Sequence, residues 1–154
     1  MLKARRTKSR GPNGIQLKVD ALFSIVSLQL LRCSISKRQS QNLISGSSLA
    51  SLRLLHLTST SLTHIEASTL AQVVVNLEEV NLTRTDLTLT QLGAIFEAIV
   101  RGRSCLKRLD LSFVASWLGS LDPSLIGASL ASLEEVVMEG VKLTKAQVCT
   151  KKKI

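Results

Sequence analysis

The chain has 154 residues, 45% of them hydrophobic, which suits one globular domain and excludes a chain disordered throughout. Aromatic residues make up only 3%, with no Tyr and one Trp, so the interior must be aliphatic and nucleic-acid modules that stack bases on aromatic platforms are disfavoured. The formal net charge of +9 is confined to the ends: residues 1 to 48 hold nine Lys/Arg against Asp20, residues 49 to 148 hold eight against ten Asp/Glu, and Lys151 to Lys153 add three more.

Residues 1–18 carry Lys3, Arg5, Arg6, Lys8, Arg10 and Lys18, with Gly11-Pro12-Asn13-Gly14 as turn formers, and read as a disordered basic leader. Such a segment is usually a solvated tail; targeting and contact with a polyanion are the alternatives. The apolar run from Val19 to Leu31 is 13 residues long and contains Asp20, short of the roughly 20 residues that span a bilayer, so no transmembrane segment is expected. A basic leader before an apolar run also fits a signal anchor or transit peptide, but the run starts late and no A-x-A site follows it. Residues 19–48 read as a degenerate N-terminal cap or decayed repeat, with Leu28, Leu31 and Cys33 as its strand.

From residue 49 the chain repeats. Leu77 to Leu92, LEEVNLTRTDLTLTQL, returns as Leu133 to Val148, LEEVVMEGVKLTKAQV, 56 residues later. The positions Leu77, Val80, Leu82, Thr85 and Leu87 follow an L-x-x-L-x-L-x-x-N-x-L pattern, matched by Leu52, Leu55, Leu57, Thr60 and Leu62 and by Leu133, Val136, Met138, Val141 and Leu143. Leu106, Leu109 and Leu111 open the unit between. The units begin 25, 29 and 27 residues apart. Each x-L-x-L-x stretch predicts a short strand with its leucines inward.

Between strands the spacing turns helical. Leu92, Ile95, Phe96, Ile99 and Val100 form one apolar stripe. Thr88 to Gln91 and Thr144 to Gln147 are S/T-x-x-Q capping boxes, and Thr63 to Glu66 is the S/T-x-x-E form. Asp122-Pro123 predicts a third kind of start, an acceptor at the N-cap followed by proline in the first turn.

Strand then helix at this period resembles the ribonuclease-inhibitor-like class of leucine-rich repeat proteins, and is similar to the repeat regions of NOD-like receptors, over residues 49–148. The resemblance implies an α/β leucine-rich repeat solenoid, with short parallel strands on a concave face and helices on the convex one. It also implies protein binding by the concave face. The family places Asn after the strand; here that position holds Thr60, Thr85 and Val141. The resemblance extends to the Ran GTPase-activating protein, but no matching arginine can be placed, so that activity is not expected.

Two residues are inserted between Leu111 and Leu118 relative to the first unit. Phe113 and Trp117 read as part of that insertion, either as filler under the turn or as an exposed aromatic anchor. Residues 149–154 form a basic tail. With no polar capping repeat after Thr144, apolar surface is expected on the last unit, with self-association through uncapped ends as one consequence.

No catalytic, cofactor or metal constellation is present in the sequence. His56 and His64, eight residues apart, read as surface histidines without a metal-spaced partner. Phosphate-loop, nucleophile-elbow and H-E-x-x-H motifs are missing. Glu78-Glu79 and Glu134-Glu135 read as solvated strand edges, and Asn81-Leu82-Thr83 is a glycosylation sequon placed in a strand. Cys33, Cys105 and Cys149 form an odd set with no C-x-x-C spacing, which leaves reduced thiols and a cytoplasmic location as the expectation.

The expected function is therefore non-enzymatic protein binding. The outward strand residues Leu54, His56, Thr58, Glu79, Asn81, Thr83, Arg108, Asp110, Ser112, Glu135, Val137 and Glu139, with Trp117, are the candidate contacts for a protein partner. A fragment of a NOD-like receptor type protein and an adaptor tethered to acidic surfaces by its basic ends are the alternatives.

Overall fold

Alternating leucines set the strands, because a residue pointing inward must be followed by one pointing out. The computed structural model describes residues 2–5, 26–31, 51–102, 104–114, 116–141 and 143–145. Six strands, β1 (Leu2–Arg5), β2 (Ser27–Leu31), β3 (Leu54–His56), β4 (Glu79–Asn81), β5 (Arg108–Asp110) and β6 (Glu135–Val137), form one parallel sheet in sequence order. Three helices lie between the later strands: α1 (Ala67–Val75), α2 (Leu89–Val100) and α3 (Pro123–Ala131), with a 3-10 turn at Ser116–Ser120. The architecture is α/β, and successive helices pack on one another.

The register is constant from strand to strand. Leu28, Leu55, Val80, Leu109 and Val136 lie side by side, and the first four are buried. Behind them sit Leu57, Leu82 and Leu111, then Leu62, Leu87 and Leu118, all buried among Leu92, Ile95, Phe96 and Ile99 of α2. Each fully buried leucine contributes about 2 kcal/mol, and each needs the neighbouring unit to cover it. Val100 departs from the predicted stripe: it is 43% exposed. It ends a helix of 12 residues whose neighbours each have 9.

Two readings of the N-terminal part change. Leu2–Arg5, taken with the basic leader, pairs in parallel with β2. In β2 the inward residues are Leu28 and Leu30, aligned with Leu55 and Leu57, rather than Leu28, Leu31 and Cys33. The strand thus starts its unit three residues earlier than expected. Residues 6–25 and 32–50, including Cys33, and the basic tail at 149–154 lie outside the described residues.

The helix starts follow their capping chemistry in two cases of three. Thr88 accepts from the Gln91 N–H at 3.2 Å while the Gln91 side chain accepts from the Thr88 N–H at 2.8 Å, closing the predicted capping box. Asp122 accepts from the Ser124 N–H at 2.9 Å, with Pro123 in the first turn. The predicted box at Thr63 does not form. Helix α1 begins after Glu66, which makes no side-chain cap bond, and Thr63 and His64 are exposed. The reason lies in the next unit: Gln91 Nε2 donates to the Leu62 and Ile65 carbonyls at 2.8 and 2.6 Å, and the Leu62 N–H donates to Asp86 at 2.6 Å. Residues 62–65 are held to their neighbour before a helix can start. Of the last box, Thr144 and Lys145 are described and Gln147 is not.

Gln91 is 2% exposed and serves both its own helix and the preceding unit. Replacing it with Ala leaves the Ile65 carbonyl without a donor among the described residues, at a cost of about 1–3 kcal/mol, while the Leu62 carbonyl keeps the Ile65 N–H at 2.9 Å. Gln91→Ala is expected to lower stability by about 2 kcal/mol in urea unfolding, and a loss below about 1 kcal/mol would show that water replaces the amide.

The Asp122 carboxyl is held below its ordinary range by the backbone and side-chain hydrogen bonds from Ser124. Because the folded value is depressed, the stabilisation is present above the unfolded carboxylate range and is lost as pH falls through the folded value. Asp122→Asn keeps the acceptor and removes the titration. The native chain should lose stability relative to this variant on acidification, as read from midpoints of melts between neutral and acidic pH.

Candidate functional site

The sheet face away from the buried leucines carries the residues between them. Three rows cross the strands. Leu54, Glu79, Arg108 and Glu135 are register partners in the first, and His56, Asn81, Asp110 and Val137 in the second. Thr58, Thr83, Ser112 and Glu139 follow two residues later. Strands sit about 4.8 Å apart, so side chains in a row touch.

In the first row Glu79, Arg108 and Glu135 alternate in sign, and His56 of the second row joins them at Glu79. His56 Nε2 lies 3.0 Å from Glu79 Oε1, Arg108 Nη1 lies 3.6 Å from Glu79 Oε2, and Arg108 Nε lies 3.2 Å from Glu135 Oε2. Arg53 and Glu78 add a pair at 3.4 Å beside it. These side chains are partly exposed, His56 and Glu79 least, and pairs in contact with water contribute about 0–1 kcal/mol each. They set the charge pattern of the face more than its stability.

Asn81 and Asp110 do two jobs. Asn81 Oδ1 accepts from the Thr83 N–H at 2.9 Å, and Asp110 Oδ1 accepts from the Ser112 N–H at 2.8 Å. Each side chain thus ends its strand by capturing the N–H two residues on. Asn81 Nδ2 also donates to Asp110 Oδ2 at 3.0 Å, which links the two units. The signal was in the sequence, since Asn and Asp stand at matching positions of their units.

Most of the candidate residues lie where the alternation puts them. Leu54, His56, Thr58, Glu79, Asn81, Thr83 and Asp110 are half-buried, and Arg108, Glu135, Val137 and Glu139 are exposed. Ser112 is a correction: it is 4% exposed, not solvent-facing, because its Oγ accepts from the Glu139 N–H at 3.1 Å. Trp117 falls in the 3-10 turn, and its side chain lies outside the described residues.

Phe113 is a second correction. Ser59, Arg84, Phe113 and Gly140 all have left-handed backbones, with φ of 55°, 56°, 57° and 69°. They occupy the same position in four units, so Phe113 belongs to the repeat and the inserted residues follow it. The conformation costs a residue with a Cβ about 1–2 kcal/mol, and only Gly adopts it freely. The Arg84 guanidinium stands 5.1 Å from the Phe113 ring centroid, and the ring also lies against Gly140. Phe113 is 43% exposed, yet it is engaged between units. Neither the filler nor the free-anchor reading describes it fully.

Threonine at the position after the strand does what its hydroxyl allows. Thr60 Oγ1 donates to the Leu30 carbonyl at 3.3 Å and Thr85 Oγ1 to the Leu82 carbonyl at 2.7 Å, both buried. Val114 and Val141 hold the position in the later units and have no such donor. Among the described residues no group of three or more His, Cys, Asp or Glu could hold a metal ion, and Cys105 is an exposed thiol. No helix among them is long and apolar enough to cross a membrane.

The chain matches no family model, and no curated protein and no solved structure matches it.

A Cβ on Gly140 would lie 2.6 Å from Phe113 Cδ1, in a backbone conformation that already disfavours it. Gly140→Ala should cost about 2 kcal/mol by thermal melting. In a Phe113→Ala background the cost should shrink toward the backbone part alone; strict additivity of the two substitutions would remove the steric contact from the explanation.

Proposed function

We propose that this chain is a leucine-rich repeat solenoid of the ribonuclease-inhibitor-like class that binds another protein on the concave face of its sheet and catalyses no reaction. The observation that carries the reading is the constant register, which sets Glu79, Arg108 and Glu135 in one row and His56, Asn81, Asp110 and Val137 in the next. A repeat of 25 to 29 residues with inward leucines supports the class. Repetition supplies a broad, preformed surface at low entropic cost, which suits recognition of another folded surface.

Among the described side chains of the three rows across β3 to β6 there are four carboxylates, on Glu79, Asp110, Glu135 and Glu139, against the one guanidinium of Arg108. The partner of this face is accordingly a protein surface with more cations than acids. The odd set of cysteines supports a cytoplasmic setting for this encounter.

The test is a triple variant, His56→Ala, Glu79→Lys and Arg108→Glu, which alters the middle of the face without touching Asn81 or Asp110. Proteins crosslinked to the native chain in cell extract are expected to be lost from the variant while its melting temperature stays within a few degrees of native. An unchanged set of crosslinked partners would place binding elsewhere on the molecule.

A further inference from the structure

Each inner strand closes the same backbone ladder with the strand that follows it. Leu57, Leu82 and Leu111 donate their N–H to the carbonyls of Asn81, Asp110 and Val137, each at 2.8 Å. Ser59, Arg84 and Phe113 donate to Thr83, Ser112 and Glu139 at 2.9, 3.0 and 2.8 Å. The carbonyls of Arg53, Glu78 and Lys107 each accept two N–H groups, from Glu78 and Glu79, from Lys107 and Arg108, and from Glu134 and Glu135. In the last unit the corresponding groups are the N–H of Met138 and Gly140 and the carbonyl of Glu134, and no described residue meets them.

The side chains at this edge are incomplete in the same way. Leu106, Leu109 and Leu111 are 4%, 1% and 0% exposed, whereas their equivalents Leu133, Val136 and Met138 are only half-buried. Charge also breaks off in mid-pattern. Arg53, Glu78, Lys107 and Glu134 alternate in sign across the sheet, as do Glu79, Arg108 and Glu135 beside them. Both rows end on a carboxylate, and the next position in each calls for a cation.

We propose that the outer edge of β6 is a strand-addition site for an extended basic segment of another protein. The segment runs parallel to β6, with Lys or Arg at two consecutive positions beside Glu134 and Glu135. An apolar-x-apolar stretch follows, covering Val136 and Met138. Backbone hydrogen bonds to Met138, Gly140 and Glu134 hold the segment, and the two cations choose it over neutral or acidic strands. This site shares Glu135 with the concave-face reading but rests on the edge backbone of β6 and on Glu134, which that reading does not use, so the two stand or fall separately.

The test uses the full chain and a labelled, acetylated peptide, Gly-Lys-Arg-Leu-Thr-Val-Thr-Gly, followed by fluorescence anisotropy. Saturable binding is expected, weakened by salt. The double variant Glu134→Lys, Glu135→Lys should weaken it by about tenfold or more and should bind the counterpart peptide carrying Glu-Glu in place of Lys-Arg. N-methylation of the Lys and Arg amides should abolish binding without changing the peptide's charge. The triple variant in the middle of the concave face should bind the basic peptide as the native chain does. No saturable binding, or binding indifferent to either charge reversal or N-methylation, overturns the proposal. So does a dimer or larger assembly in light scattering that the peptide fails to dissociate, since a second copy would then hold the edge.

Discussion

A three-residue strand turns only one or two side chains inward, so no unit of this chain can bury its own leucines. The parallel register is the constraint on which the rest depends. Leu28, Leu55, Val80, Leu109 and Val136 form one row only if every strand is placed within a residue of its neighbour. A slip of one residue would turn the leucines to water and bring Glu79 and Arg108 into the interior. The backbone ladder and the inward row therefore enforce the same alignment by independent means.

The turns after the strands hold that alignment in place. In each of the four later units one left-handed residue, Ser59, Arg84, Phe113 or Gly140, follows two positions after the last inward strand residue. Where the side chain permits, an Asn or Asp captures an N–H two residues on, and a buried threonine hydroxyl takes a carbonyl. No buried side-chain nitrogen or oxygen among the described residues is left without a partner. That completeness explains why the open sheet face is a poor place to separate binding from architecture. Asn81 and Asp110 present polar groups to solvent while bonding the backbone, so removing either perturbs both.

Repetition is looser on the helical side. Three helices start in three ways: a capping box at Thr88, Asp122 with Pro123, and Glu66 with no side-chain cap. The sheet tolerates no such variety, because its groups are shared between units at fixed spacing. A helix entrance needs only some acceptor for its first N–H groups and an apolar face to lay down. Gln91 shows the consequence, since one side chain both caps α2 and ties down the loop ahead of α1.

The sequence by itself determined the period, the inward leucines, the four later strands, the rows of outward residues, and the starts of α2 and α3. These are local or strictly repeated signals, written in residues a few positions apart. Tertiary structure decided what rests on contacts between units. It buried Ser112 through the Glu139 N–H, and it moved the start of α1 because Gln91, 26 residues beyond Ile65, claimed the Ile65 carbonyl. It also set Leu2–Arg5 beside β2, where a run of cations in the sequence had suggested a solvated leader. Phe113 is the plainest case: an aromatic in a left-handed turn is invisible to propensity, because the space for its ring comes from a glycine one unit away.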